Sequence, residues 1–232
     1  MTLAVGCQTA VMDIVVADDP ADLAARRIVY RLRDAVRRRG EASLALSGGS
    51  TAPPMIEALV GQTAPWEHVT IFQVDERVAP DGHEARNANQ LVPFDALPCR
   101  VRPMPVTAGD LRAAARRYAA SLPGRFDVVH LGLGDDGHTA SWPPGRSEIA
   151  DSARAVELVD EFNGWPRLTL TAGVVNGARS RVVLATGAAK RPVVERWLLR
   201  DDELPAVAVR RTATWVFLDL AAAPDVPLVG TH

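Results

Sequence analysis

Short apolar runs alternate along this chain with longer amphipathic segments rich in Ala, Arg and Leu. Asp13 to Val16 reads as a strand, and Pro20 to Arg39 carries Leu23, Ile28, Leu32, Ala35 and Val36 at helical spacing, which predicts a helix with one buried face. Ser43 to Leu46 and Val69 to Val74 predict two further strands. The first runs into Ser47-Gly48-Gly49-Ser50-Thr51 and then Pro53-Pro54, which suit the opening turn of a helix reaching Val60. The second ends in Asp75-Glu76-Arg77. From Val78 to Pro105 frequent Pro, Asn, Asp and Gly break any period, so a long loop with some short helix is expected. Thr107 to Leu122 returns to helix, with Thr107 and Asp110 as cap candidates. Phe126 to Leu131, Arg181 to Thr186 and Thr214 to Leu220 read as strands and Ala188 to Arg200 as a helix, while Arg167 to Ala178 starts extended and turns helical. Alternation of this kind predicts an α/β fold with parallel crossovers and a sheet covered on both faces. No repeat, low-complexity tract or linker interrupts the pattern, so residues 1–232 read as one domain.

Composition narrows the function. The 26 Lys and Arg against 28 Asp and Glu give a net charge of −2. That balance lacks the broad basic field expected of a nucleic-acid or anionic-membrane binder. A chain 47% hydrophobic and 23% charged has enough apolar residues to bury a globular core. Cys7 and Cys99 are too few for a disulfide framework or a zinc cluster, which makes a reducing cytoplasm the expected location. Met1 to Pro20 carries Asp13, Asp18 and Asp19 and no basic lead, unlike a signal peptide, and no stretch approaches the ~18 apolar residues of a membrane span. Among the basic residues Lys190 is the only lysine, which singles it out wherever a compact ammonium must meet a ligand.

In parallel α/β sheets ligands sit beyond the carboxyl ends of the strands, and the polar clusters of this chain fall there. Ser47 to Thr51 offers two glycines that admit close approach to backbone amides and three hydroxyl donors before a helix, features that suit a phosphate. The same residues also suit a plain strand-to-helix turn. Gly132-Leu133-Gly134-Asp135-Asp136-Gly137 is formally G-x-G-x-x-G, yet each of its carboxylates would repel a pyrophosphate by ~4 kcal/mol at 4 Å and an effective dielectric of about 20. Pro143-Pro144-Gly145 also denies that loop a clean helix, so a dinucleotide site is excluded. Asp136 and His138, flanking Gly137, instead form a workable general base whose tautomer the acid can fix. His130 lies inside an apolar strand and reads as core; His68, His83 and His232 have no partners at metal-site spacing. Of the five tryptophans only Trp142 adjoins a candidate site.

Three blocks, Leu46 to Thr51, Val74 to Pro80 and Leu131 to Ser141, resemble the signatures of the 6-phosphogluconolactonases within the glucosamine-6-phosphate isomerase/6-phosphogluconolactonase family. Arg167 to Thr171, Thr186-Gly187 with Lys190, and Leu204-Pro205-Ala206 resemble its later blocks in the same order, so the likeness runs from about residue 13 to residue 223. The resemblance implies a modified Rossmann-like, mostly parallel sheet between helices, shared with glucosamine-6-phosphate deaminase. It also implies hydrolysis of 6-phospho-D-glucono-1,5-lactone to 6-phospho-D-gluconate in the oxidative pentose phosphate pathway, without a cofactor. By motif, His138 would activate water with Asp136 beside it. Ser47, Gly48, Gly49, Ser50, Thr51, Arg167 and Lys190 would hold the phosphate of a small sugar phosphate, and Asp75 and Arg77 would border the sugar. Trp142-Pro143-Pro144, Asn163-Gly164-Trp165-Pro166 and Arg86 depart from the family's pattern and are expected to border the pocket.

Two other readings stand beside this one. A deaminase-like isomerase would carry a glutamate five residues after the His, where this chain has Pro143. A non-catalytic sugar-phosphate sensor would normally carry a helix-turn-helix segment, for which Met1 to Asp19 is too short.

Overall fold

The computed structural model describes residues 12–225, so Cys7 and His232 lie outside the described residues. The chain runs β1 (Asp13–Val16), α1 (Pro20–Arg39), β2 (Ala42–Leu46), α2 (Ala52–Val60), β3 (Val69–Gln73), β4 (Asp75–Arg77), β5 (Arg100–Arg102) and α3 (Leu111–Ser121). It continues through β6 (Val128–Gly132), α4 (Ser147–Ala150), β7 (Val156–Phe162), β8 (Trp165–Leu170), α5 (Ala172–Gly177), β9 (Arg181–Ala185), α6 (Arg191–Leu198) and β10 (Thr214–Leu218). Seven strands form one sheet in the order β1-β10-β9-β6-β2-β3-β5, every neighbouring pair parallel. A three-stranded antiparallel sheet, β4-β8-β7, stands beside it.

Three strands depart from the pattern-based reading. β4 is a strand of the second sheet: the chain leaves the main sheet at Val74 and pairs Asp75, Glu76 and Arg77 with β8. β5 falls within the stretch expected to be loop; it is an exposed edge with a single apolar residue, so it has no period to read. β7 carries Asp160 and Glu161 on its outer side and breaks register between Val159 and Phe162, which hides its alternation.

Local chemistry sets the helix ends. The Asp19 carboxylate accepts from the Asp22 N–H at 3.0 Å, Pro20 opens the first turn of α1, and Gly40 closes it in the left-handed region with φ 80°. The buried face of α1 is rotated from the expected one: Leu23 and Val36 are at least partly exposed, and Ala24, Ala25, Ile28, Val29, Leu32 and Ala35 face the sheet. Two adjacent alanines let the helix lie close against Val182, Leu184 and Phe217. In α3 Asp110 alone is the cap, accepting from Ala113 N at 2.9 Å; Thr107 lies in the turn before it.

One apolar layer packs on each face of the main sheet. His130 is buried in the layer beneath α1 and α2, between Leu46 and Val182 in register. Arg181, also buried, is satisfied wholly by neutral oxygens. Its Nε donates to Thr214 Oγ1 at 2.8 Å, its Nη1 to the carbonyls of Val175, Asn176 and Ala178 at the end of α5, and its Nη2 to the Thr212 carbonyl. No helix among the described residues is long and apolar enough to cross a membrane.

Candidate active site

The carboxyl ends of β2 and β6, with side chains from β4 and the middle of β8, surround a cleft of about 210 Å³, and the residues singled out by sequence meet there with one exception, Asp136. At the end of β2, Ser47 donates its Oγ–H to Asp75 Oδ1 at 3.2 Å and its backbone N–H to the His130 carbonyl at 3.2 Å. Glycine at the next position makes room for Asn87, because a Cβ on Gly48 would lie 2.2 Å from Asn87 Oδ1 and displace that side chain. Thr51 then leads into α2, whose first N–H groups have no partner inside the helix.

The antiparallel pairing of β4 with β8 sets Asp75 opposite Thr169 and Arg77 opposite Arg167. Asp75 is only 3% exposed and also accepts from Ser141 Oγ at 2.7 Å. Arg167 is buried beside it, donating Nε–H to the Phe162 carbonyl at 3.0 Å with its guanidinium 4.7 Å from the centre of the Phe162 ring. Burial lowers the Arg167 pKa from its ordinary value, and the neighbouring Asp75 opposes that shift. Arg77 donates Nη1–H to the Ala85 carbonyl at 2.8 Å.

Beyond β6 the chain turns back on itself, Gly134 N–H donating to the His138 carbonyl at 2.8 Å. His138 Nδ1 lies 2.5 Å from Asp136 Oδ1, the same oxygen accepts from the His138 backbone N–H at 3.1 Å, and the ring stands edge-on to Phe162 at 4.9 Å. Burial pushes the Asp136 carboxyl up, but the His138 hydrogen bonds outweigh it and hold its pKa below the usual range. Asp136 does not itself line the cleft. A Cβ on Gly134 would lie 2.1 Å from His138 Nδ1, so the glycine makes room for the imidazole. Lys190, from a short 3-10 segment before α6, completes the wall with its Nζ 2.6 Å from Asp135 Oδ1. Among the described residues no three His, Cys, Asp or Glu gather in a way that could hold a metal.

The family model described as glucosamine-6-phosphate isomerases/6-phosphogluconolactonase matches residues 16–218. The chain belongs to that family. It is similar to a 6-phosphogluconolactonase of Synechocystis, 37% identical over 180 residues that cover 71% of this chain and 74% of the relative. A 6-phosphogluconolactonase of Streptomyces coelicolor is 34% identical and covers 89% of this chain and 90% of its own. Among solved structures, the 6-phosphogluconolactonase of Thermotoga maritima superposes with a TM-score of 0.81 at 25% identity, covering 91% of this chain and 99% of its own. A monomeric glucosamine-6-phosphate deaminase superposes with a TM-score of 0.76 at 20% identity, covering 91% and 98%. The fold is therefore the modified Rossmann-like one, a mostly parallel sheet between helices, that the deaminase shares.

In this family member the departures noted in the sequence do not line the cleft. Trp142 is fully buried behind it and donates Nε1–H to the Leu170 carbonyl at 2.8 Å. Trp165 packs edge-on to His83. Arg86 turns inward, its Nε 3.1 Å from Glu76 Oε2 and its Nη1 donating to Asp81. Glu76, wholly buried, also accepts from Gln73 Nε2 and from the backbone N–H groups of Arg77, Asn87 and Ala88 at 2.7 to 2.9 Å. That node holds Asn87, which lines the cleft and donates Nδ2–H to the Asp75 carbonyl at 3.0 Å. Thr139 and Ala140, which also line the cleft, belong to the polar cluster after β6, whereas Asn87 lies outside every cluster singled out by sequence, and its close approach to Gly48 exists only in three dimensions.

Proposed function

We propose that this chain, acting as one unit over residues 1–232, hydrolyses 6-phospho-D-glucono-1,5-lactone to 6-phospho-D-gluconate in the oxidative pentose phosphate pathway, and that His138 is its general base. The observation that carries the reading is His138, which shares one cleft with the Ser47 to Thr51 loop, Arg167 and Lys190 and is backed from outside it by Asp136 at 2.5 Å. With Nδ1–H directed at Asp136, Nε2 is the nitrogen left to take a proton from water. The hydroxide so formed adds to the lactone carbonyl, the ring C–O bond breaks, and the departing ring oxygen recovers the proton from the imidazolium, so no covalent intermediate is required. Asp136 acts as a positioning residue that stabilises the transient cation. The glycine loop, Arg167 and Lys190 hold the phosphate, which competes with Asp135 for the Lys190 ammonium; Asp75 and Arg77 border the sugar. A lactone is an activated ester, so a positioned water and one base are adequate chemistry.

The names of the relatives support the lactone as substrate, and the likeness to the deaminase bears on the fold alone. The test is hydrolysis of freshly generated lactone above its spontaneous rate. His138→Ala is expected to lose ~100-fold to ~10,000-fold of the acceleration, or ~2.7 to ~5.4 kcal/mol of barrier. A wild-type rate equal to background would leave a sugar-phosphate sensor as the reading, and a fully active, folded His138→Ala would remove the mechanism.

A further inference from the structure

At the amino ends of the main-sheet strands, opposite the candidate site, lies a cavity of about 330 Å³ lined by the guanidinium groups of Arg31, Arg38, Arg39, Arg125 and Arg179. Only two carboxylates, Asp34 and Asp127, share it. A chain of net charge −2 thus concentrates five cations at one spot. The dipole at the end of α1 accounts for Arg38 and Arg39, which lie in or next to its last turn, but not for side chains from the segments entering β6 and β9 converging on the same place.

The cluster is organised from within. Asp127, 6% exposed, accepts from Ser43 N–H at 2.9 Å through Oδ2, while its Oδ1 lies 2.5 Å from Arg39 Nη2 and 3.3 Å from Arg179 Nε. Arg38 donates Nε–H to Asp34 at 3.0 Å, and Arg125 donates Nε–H to the Gly177 carbonyl at 2.7 Å. Arg38 and Arg125 are therefore each held at Nε, Arg179 Nε makes only the ion contact with Asp127, and the paired Nη donors of all three forks have no partner among the described residues. Those donors match phosphoryl oxygens in shape and charge. The cavity continues past Arg39, Arg125 and Arg179 into a second arm of about 340 Å³, walled by Thr70, Phe72, Ser121 and Pro123.

We propose that this groove is a second anion site, which binds the polyphosphate of a nucleoside di- or triphosphate on the arginines and its ribose and base in the adjoining arm. The five guanidinium groups outnumber the carboxylates of both arms, Asp34, Asp127 and Glu41, and come from three separate segments of chain, so a run of phosphoryl groups meets more of their free forks than a single one can. The whole length of β2, about 16 Å, separates the groove from the Ser47 loop, so the two anion-binding regions are distinct.

The test is calorimetric titration of the full chain with ATP, AMP and inorganic phosphate, with and without saturating 6-phosphogluconate. ATP is expected to bind with at least about tenfold higher affinity than AMP or phosphate, and to weaken as salt rises from about 0.05 M to about 0.5 M. The Arg125→Ser/Arg179→Ser double variant is expected to lose at least about tenfold in ATP affinity and to keep its response to 6-phosphogluconate. Competition between ATP and 6-phosphogluconate, equal binding of phosphate and ATP, unchanged ATP binding by the folded double variant, or no ATP binding at about millimolar concentration would each overturn the proposal.

Discussion

His130 gives the fold a dependence on acid that can be worked out from its surroundings. Its ring is fully buried, neither nitrogen has a hydrogen-bond partner of good geometry among the described residues, and burial, only partly opposed by the nearby Ser47 backbone, lowers its pKa from 6.5 to about 4. The native ring thus stays neutral where the unfolded chain takes up a proton. Between pH 6.5 and pH 4 the unfolded state binds more protons, so stability is complete above this window and falls as pH drops through it. The full gap corresponds to about 3 kcal/mol, of which about 2 kcal/mol is lost between about pH 7 and pH 5. His130→Leu fills similar space between Leu46 and Val182 and cannot titrate. Urea unfolding of both proteins at the two pH values cancels the contribution of the carboxylates they share. The variant is expected to lose about 2 kcal/mol less than wild type over that interval. An equal loss in both proteins would show that His130 is not held neutral in the native state and would refute the reasoning.

Three further substitutions probe the site. Lys190→Ala removes a charge-assisted contact worth roughly 1.5 to 3 kcal/mol and is expected to weaken 6-phosphogluconate binding about tenfold to 150-fold by calorimetry; unchanged affinity would take Lys190 out of the phosphate site. Gly134→Ala drives a methyl into the space of the His138 ring and is expected to lower kcat at least about tenfold with KM little changed, whereas a wild-type kcat would show that the ring can shift freely. Glu76→Gln leaves the buried Arg86 guanidinium with only the exposed Asp81 as counter-charge and is expected to lower stability in urea by about 3 kcal/mol or more. A loss below about 1 kcal/mol would mean that Asp81 alone suffices for Arg86.

What the sequence makes legible follows from how local each signal is. β1 and α1 were readable to their end residues, because an Asp-Pro start, a helical period and a glycine stop all lie within the segment itself. The same holds for the Ser47 loop and for His138 with Asp136, whose residue types sit together at strand ends. The second sheet was not readable. Its register sets Arg77 against Arg167 across a long stretch of chain, and neither β4 nor the bulged β7 shows an alternation of its own. Asn87 escaped for a related reason: its place is fixed by the buried Glu76 carboxylate and by the missing side chain of Gly48, and neither constraint leaves a trace near residue 87.

The arginine-rich composition, neutral in appearance, has a limit written into β9. Arg181 serves two sets of acceptors at once, the carbonyls that end α5 on one side and Thr212 with Thr214 on the other, through all three nitrogens of a planar fork. An ammonium has only one nitrogen and reaches one of these sets, leaving the other buried and unpaired. An exposed position of α1 such as Arg26, whose partner is the single Asp22 carboxylate, therefore tolerates mutational drift between the two basic residues, whereas that drift must stop at residue 181. There the guanidinium acts as a neutral-lined clasp between the end of one helix and the start of the β10 strand, in a place where no counter-ion would fit the pattern of donors.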